Sequence, residues 1–523
     1  MNNKIRDSLF FIIVFSLIFN RIPEPIQMRF IGGPVGSKLV FYPLLIGMLY
    51  TCYCHYKYKN VFVNLNKIFK FLSIYLGIIF VSLLAGLYNY PYWNLITNGP
   101  VEQIEKLPKV IAFLNEHCGI ESDVKVLTSF WLVARTIKGL FLETFYIFGG
   151  AYIIYCWYLD DWKQGFRIFC LGVLASLVII CSYSLVEVFY LSGSKLAKNI
   201  LIDITPYIHT IKENNTWWPP LLWKNQLRSV FAEPSHFSIY SAFCMPILWF
   251  FIFRSKLKNK IAWVLVLITT IMTFFIVLAK ARTGFLLHVG ELLVLFLCLL
   301  YVRNKELLKK SVVILCCSSV AFLCGNLYIT NYMSVQKSVS VQKSALIKKS
   351  LMNYVDDNAI SLVDPNRRSN RARYSVMEAD FKIGLDNPVL GVGLGLRSAY
   401  LPDYLSEKAL KNREVKMWLK HRAKYGHLAR SMPKLGEYTS RFSETGILGV
   451  FIFLLPAVYL ILKILRSFYT IEECIFLTAF IGILASGIGD VLNVTYCYSV
   501  LLGLGYAMYC GRNRLGNSEE DYK

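Results

Sequence analysis

Four short stretches of this chain combine residue types that could do chemistry. Arg228-Ser-Val-Phe-Ala-Glu233-Pro234-Ser235-His236 sets a guanidinium, a carboxylate and an imidazole at the mouth of an apolar run, with a chain-bending proline between them. Lys280 and Arg282 share a tight turn between two further apolar runs. Arg371 and Arg373 stand at the head of a helix-like run, and Tyr438 and Glu444 precede the next apolar stretch. Lipid tolerates such charges only when they face a partner or a watery cavity, so they are functional candidates by default. Guanidinium forks match phosphate oxygens bidentately and stay charged, so several arginines at one cavity point to a phosphate or pyrophosphate ligand. The sequence has no acidic cluster, such as Asp-x-Asp, to hold magnesium. We therefore expect arginine, rather than a metal or other cofactor, to stabilise a leaving pyrophosphate. A nearby carboxylate or histidine would take a proton from an attacking hydroxyl.

The elements that must position these residues are membrane helices. The chain of 523 residues is 55% hydrophobic and 17% charged, and its apolar residues come in long runs separated by short basic patches. Runs such as 261–279 and 311–329 have no polar face, which excludes a soluble protein with amphipathic elements. An all-α polytopic membrane protein follows, with about twelve spans of roughly 17–25 residues and one long, outward-facing, partly helical segment. The spans fall near 7–20, 38–54, 69–88, 138–158, 166–190, 236–253, 261–279, 284–302, 311–330, 444–465, 473–491 and 494–510. The chain divides into nine spans with their outer loops (1–330), a long outer segment (331–443), and three last spans with a tail (444–523). Basic short loops at 55–70, 254–260, 303–310, 463–466 and 512–514 share one side, which the positive-inside rule makes cytoplasmic together with both termini. The candidate residues all map to the opposite, outer face.

The net charge of +23 partly reflects this bias and favours anionic lipid headgroups. The long outer segment is itself basic, with roughly twice as many Lys and Arg as Asp and Glu, which suits an anionic substrate. No basic–aromatic interleaving suggests nucleic acid. None of the fourteen cysteines falls in that segment, so no disulfide framework is expected there, and no spacing suggests zinc. Ser334-Val-Gln-Lys-Ser-Val and Ser340-Val-Gln-Lys-Ser-Ala form a tandem repeat that reads as a stretch lying along the membrane surface. Pro388 should end the helix-like run 374–385, and Gly391, Gly393 and Gly395 permit a tight turn with close backbone approach. No strand precedes these glycines and no Gly-Lys-Ser/Thr follows, so a nucleotide loop is not expected.

Four features, taken in order, resemble the O-antigen polymerase/ligase superfamily of bacterial envelope glycosyltransferases. They are the Arg228–Ser235 stretch; Ala279-Lys-Ala-Arg282-Thr-Gly284 between adjacent spans; Arg373 ahead of Asn387-Pro-Val-Leu-Gly-Val-Gly393; and Glu444-Thr-Gly446-Ile-Leu-Gly449 opening the next span. The resemblance covers about 228–450. Its Glu-Pro-Ser form is nearest to Wzy-type polymerases, which join lipid-linked repeat units into polysaccharide. Ligases, which move the finished chain to lipid A–core, show a histidine where this chain has Leu435, although His421 and His427 lie a little upstream. The resemblance implies inverting glycosyl transfer, without metal, from an undecaprenyl-pyrophosphate-linked glycan to a second lipid-linked unit. The product would be O-antigen, capsule or exopolysaccharide, made at the outer face of the bacterial inner membrane, with a chain-length regulator as a possible partner. In that mechanism Glu233 is the base or orients the acceptor, Arg282 and Arg373 hold the pyrophosphate, and Arg228, His236, Lys280, Arg371, Tyr438 and Glu444 bind substrate.

Several of these residues also have a structural reading. Glu233 could cap the helix that begins at Pro234, and His236 could be a hydrogen-bonded helix-mouth residue. Lys280 could pin its turn, and Glu444 could be a first-turn residue. Arg397, Arg422 and Arg430 read as interfacial anchors. Glu143, Glu187, His288, Glu291 and Asp490 fit either a proton path or helix–helix polar pairing. A flippase or transporter is the rival class. It would show half-to-half repeats, and the chain has no convincing similarity between its halves.

Overall fold

The computed structural model describes residues 2–28, 36–59, 61–97, 107–119, 124–211, 219–333, 368–426, 432–466, 470–492 and 495–520. The repeat at 334–345, the side chain of Arg371, and His427 and Arg430 lie outside the described residues. Among the described residues the chain is all-α. The helices that matter here are α1 (Asn3–Ser16), α2 (Phe41–Tyr58) and α3 (Leu65–Tyr88). Next come α4 (Lys125–Tyr158), which carries a π-helical segment at Thr144–Gly149, α5 (Trp162–Leu191) and α6 (Lys195–Ile208). Then follow α7 (Pro234–Arg254), α8 (Lys260–Leu278), α9 (Arg282–Val302), α10 (Lys305–Met333) and α11 (Arg368–Asp386). The chain continues through α12 (Arg397–Tyr404), α13 (Arg413–Tyr425), α14 (Glu437–Arg466), α15 (Ile471–Ser486) and α16 (Cys497–Glu520).

Eight of these, α3, α4, α5, α7, α8, α9, α10 and α14, are long and apolar enough to cross a membrane. The other four expected spans fall on α1, α2, α15 and α16. Of these, α1 and α15 have only 14 and 16 residues.

The bundle is organised around α7. Of its apolar window 89% is buried, against at most 50% for the other seven apolar helices. It packs on α15, α9 and α8, while α16 packs on α4, α8 on α10, and α1 on α5. Pro234 begins α7, where a missing N–H costs no helical hydrogen bond. Ser238 and Ser241 return their hydroxyls to the carbonyls of Pro234 and Phe237, which satisfies these two donors within the helix. Gly284 lets α9 start flush against α7, since a Cβ there would lie 2.5 Å from Ser238 Oγ.

Charges are distributed differently at the two ends of the bundle. At one end, ion pairs tie helix termini together: Arg6 to Asp161 (3.1 Å), Arg512 to Glu473 (2.6 Å) and Arg254 to Glu472. Lys310 there donates to the carbonyls of Phe253 and Ser255 at 2.8 Å. The other end carries the mouths of α7 and α9 and all the candidate site residues.

One backbone joint fixes that second end. Within α14, Gly446 has φ 62° and ψ −168°, which breaks the helix and frees its hydrogen-bonding groups. Residues 388–393 run alongside and take them up. Ile447 N–H donates to Pro388 O (2.8 Å), Val392 N–H to Ser443 O (2.9 Å) and Gly393 N–H to Glu444 O (2.9 Å). Ser82 of α3 closes the joint from outside by donating to Leu390 O (2.5 Å). A Cβ at 446 would lie 2.2 Å from Val389 O, and one at 391 would lie 2.4 Å from the Glu444 carbonyl carbon. Two of the sequence motifs, Asn-Pro-Val-Leu-Gly-Val-Gly and Glu-Thr-Gly, are therefore two halves of one contact. It is braced by the buried Arg397–Asp380 pair (Nη2–Oδ2 2.7 Å), with Ser443 donating to Asp380 at 3.3 Å.

Because this backbone region is essentially restricted to glycine, Gly446→Ala should cost about 1–3 kcal/mol from conformation alone, before the clash with Val389 is counted. Thermal unfolding in detergent would show a lowered transition. An unchanged transition would mean that the joint does not form as described.

Candidate functional site

Six half-buried polar side chains from five chain segments meet at the second end: Arg21, Lys38, Glu233, His236, Arg373 and Asp490. The first two are paired by the turn between α1 and α2. Leu39 N–H donates to Phe19 O (3.1 Å) and Ile22 N–H to Ser37 O (2.8 Å), which sets Arg21 and Lys38 on adjacent strands of chain. Thr210, after α6, clamps this turn: its N–H donates to Arg21 O (3.1 Å) and its hydroxyl to Ile22 O (2.6 Å). Asn20 reaches the mouth of α7, with its amide nitrogen 2.9 Å from His236 Nδ1. On the opposite flank, Arg373 projects from α11 and donates to Gly489 O at 3.1 Å, beside Asp490. Asp490 is held by Glu437, whose N–H donates to Gly487 O (2.8 Å) and Asp490 O (3.1 Å) at the start of α14.

The six groups are close enough to feel one another's charge. Glu233 acts on Arg21 and on Asp490; His236 feels Lys38, Arg373 and Arg21; Lys38 feels Arg21 and Asp490. With four permanent or potential cations against two carboxylates, the cluster suits an anionic ligand and keeps a carboxylate beside it.

The candidates from sequence sort into three groups. Glu233, His236 and Arg373 come together in the cluster. Glu233 occupies the N-cap position of α7, yet its side chain makes no capping hydrogen bond to the helix. It accepts instead from Ser235 Oγ at 2.9 Å, so the carboxylate points away from the role that would have made it purely structural. Arg282 begins α9 two residues before Gly284, level with the first turn of α7, and Lys280 precedes it at φ 49°. Both are half-buried.

The others hold structure. Arg228 is 1% exposed, and its terminal nitrogens donate to Pro220 O (2.9 Å) and Leu221 O (2.8 Å), while Glu187 accepts the N–H groups of Arg228 and Ser229. It braces the loop leading to Glu233. Tyr438 donates to Leu484 O (2.6 Å), fastening α14 to α15. Glu444 pairs with Lys434 (2.5 Å) and accepts from Gly395 N–H (3.3 Å), within the joint. Arg397 and Arg422 are buried braces, the latter donating to Ser398 O and Ala399 O. Glu143 belongs to a network with Arg441 (2.5 Å) and Tyr75 (2.6 Å), which is helix–helix pairing.

Sequence reasoning passed over Arg21 and Lys38, and it placed Asp490 among intramembrane polar residues. The available signal was positional: Arg21 directly follows the first apolar run, Lys38 opens the second, and Asp490 closes the eleventh expected span.

Comparison with known proteins finds no family model and no curated protein that matches this chain.

Burial pushes the Lys38 ammonium down to about 7, with Arg21 adding to the fall and Asp490 opposing it. Burial pushes Asp490 up to about 6, against the pull of Arg373 and with help from Glu233 and Glu437. Raising pH through these values strips a positive charge from Lys38 and adds a negative one at Asp490, so both changes weaken anion binding. Affinity for sulfate, a dianion whose own charge is constant over this range, should fall about fivefold or more from about pH 6 to about pH 8 when measured by calorimetry, since one charge at contact distance is worth about 1 kcal/mol even in bulk water. Lys38→Met should lower affinity at about pH 6 and flatten that dependence. A pH-independent affinity in the unaltered protein would refute the electrostatic assignment.

Proposed function

We propose that this chain is an integral-membrane glycosyltransferase that polymerises undecaprenyl-pyrophosphate-linked oligosaccharide repeat units into O-antigen, capsule or exopolysaccharide. The observation that carries the reading is the meeting of Glu233 and Arg373, 140 residues apart in the chain, in one half-buried cluster with Arg21, Lys38, His236 and Asp490. Arg373, Lys38 and Arg21, with Arg282 at the adjoining helix mouth, would bind the pyrophosphate and gain most as its charge develops. Glu233 would take the proton from the attacking sugar hydroxyl. The new bond from that oxygen to the anomeric carbon forms as the bond from the anomeric carbon to the pyrophosphate oxygen breaks. The configuration inverts and the lipid pyrophosphate departs. Positioning two lipid-linked sugars at one mouth supplies the remaining advantage, by making the attack effectively unimolecular.

In this reading α1, α2, α15 and α16 also cross the bilayer, giving twelve spans. The paired-charge end is cytoplasmic, with both termini, and the cluster faces outward from the bacterial inner membrane. The donor and acceptor are membrane-borne, and a chain-length regulator would be a separate partner.

Reconstitution with a lipid-pyrophosphate-linked repeat unit tests this reading. A ladder of products is expected from the unaltered protein. Glu233→Gln should slow it by about 10²–10⁴-fold and Arg373→Ala by about 10²–10³-fold, at unchanged protein levels. A full ladder from Glu233→Gln would remove the base. A single transfer to added lipid A–core would make the protein a ligase, and lipid-linked sugar crossing the bilayer without bond formation would make it a transporter.

A further inference from the structure

A second cavity lies away from the charged cluster, between α3, α4, α14 and α16, and encloses about 430 Å³. Its walls are ring faces and aliphatic side chains, with Phe71, Phe148, Tyr152, Tyr459, Leu502 and Tyr506 prominent. Three of its tyrosine hydroxyls are already hydrogen-bonded to protein: Tyr152 donates to Val63 O (2.9 Å), Tyr506 donates to Pro456 O (2.9 Å), and Tyr155 accepts from Asn64 Nδ2 (3.0 Å). The groove opens sideways, where Leu455 and Tyr459 are 39% and 46% exposed, on helices apolar enough to meet lipid.

Its position separates it from the proposed reaction. Lys67, at its lip, stands in the first turn of α3, whereas Ser82 and Gly86 near the other end of that helix meet the 390–392 segment. Tyr459 lies several turns beyond Gly446. The groove therefore belongs to the end with paired charges and basic loops. Among the described residues no Asp or Glu lines it. Lys67 borders it, Lys463 lies 5.3 Å over the Tyr459 ring, and Lys57, Lys59 and Lys70 stand on the neighbouring chain.

We propose that this groove is a binding site for an anionic glycerophospholipid of the surrounding leaflet, with an acyl chain along the aromatic walls and the phosphate against Lys67. The volume is in the range of small-molecule sites, roughly 300–1,000 Å³. An apolar slot with a cationic lip is complementary to a lipid that is apolar at one end and negative at the other. Basic pockets between helices on the cytoplasmic side are where headgroups of this charge are recognised.

The test is native mass spectrometry of the delipidated full chain, titrated with phosphatidylglycerol or with phosphatidylcholine of the same acyl chains. Phosphatidylglycerol should bind the more tightly, and Lys67→Gln should weaken it about fivefold, the effect of one charge at a membrane surface. Leu455→Trp, which fills the groove from its exposed side, should displace both lipids. Lys67 is exposed, so Lys67→Gln reports on binding even if the tryptophan variant folds poorly. Equal affinity for the two lipids, or unaltered binding in Lys67→Gln, would overturn the proposal. So would stoichiometric displacement of phosphatidylglycerol by undecaprenyl phosphate, which would give the groove to the substrate's own lipid.

Discussion

The break at Gly446 decides where everything else at the charged end can stand. An unbroken α14 would satisfy its own carbonyls and N–H groups and would offer nothing to residues 388–393. Opening the helix at a residue without a Cβ exposes a short run of backbone donors and acceptors, and the 388–393 segment is shaped by Pro388, Gly391 and Gly393 to take them. Buried backbone groups are costly when unpaired, so the joint is close to all-or-none. Once made, it anchors α11 against α14. Arg373 is carried into place as a consequence, thirteen residues before the end of the same helix.

A second principle governs the arginines. Those that are fully buried are spent on named partners: Arg228 on two carbonyls, Arg397 on Asp380, and Arg441 on Glu437 and Glu143. Removing one partner of such a buried pair leaves an uncompensated charge, which makes these residues determinants of folding. The half-buried charges at the mouth are different. Arg21, Lys38, Arg373, Glu233 and Asp490 converge from separate segments and act on one another's charge, and burial holds Lys38 and Asp490 near the pH at which they change charge. The proposed reaction, in which a lipid pyrophosphate is bound and later released, would draw on cations poised in this way.

Much of the scaffold was legible in the sequence. Long apolar runs marked α3, α5, α7, α8, α9, α10 and α14 because nothing but a membrane-length helix accommodates them, and Pro234 marked the start of α7. The shorter α1 and α15 were legible as apolar runs but not in their length, which depends on where loops pack. Of the site, Glu233 could be found because it precedes the chain-bending Pro234, and Arg373 because it heads the helix that leads to the Asn387-Pro-Val-Leu-Gly-Val-Gly393 motif. Arg228 could not be told from a ligand-binding arginine, since its partners are backbone carbonyls, which no side-chain pattern encodes. Arg21 and Lys38 were hidden for the opposite reason: a charge flanking an apolar run is the ordinary mark of a helix end. Only the pairing of Phe19 with Leu39 and of Ile22 with Ser37 turns two helix-end charges into neighbours of Glu233.

The most direct measurement is photolabelling with an undecaprenyl pyrophosphate that carries a diazirine next to its phosphates, followed by peptide mapping of the full chain in lipid nanodiscs. If the cluster is the pyrophosphate site, the label will fall on peptides containing Arg373, Lys38 and the Glu233–His236 turn, and excess unlabelled pyrophosphate lipid will suppress it. Label confined to the opposite end of the bundle, around Lys67 and Lys463, with none at Arg373, would contradict the account.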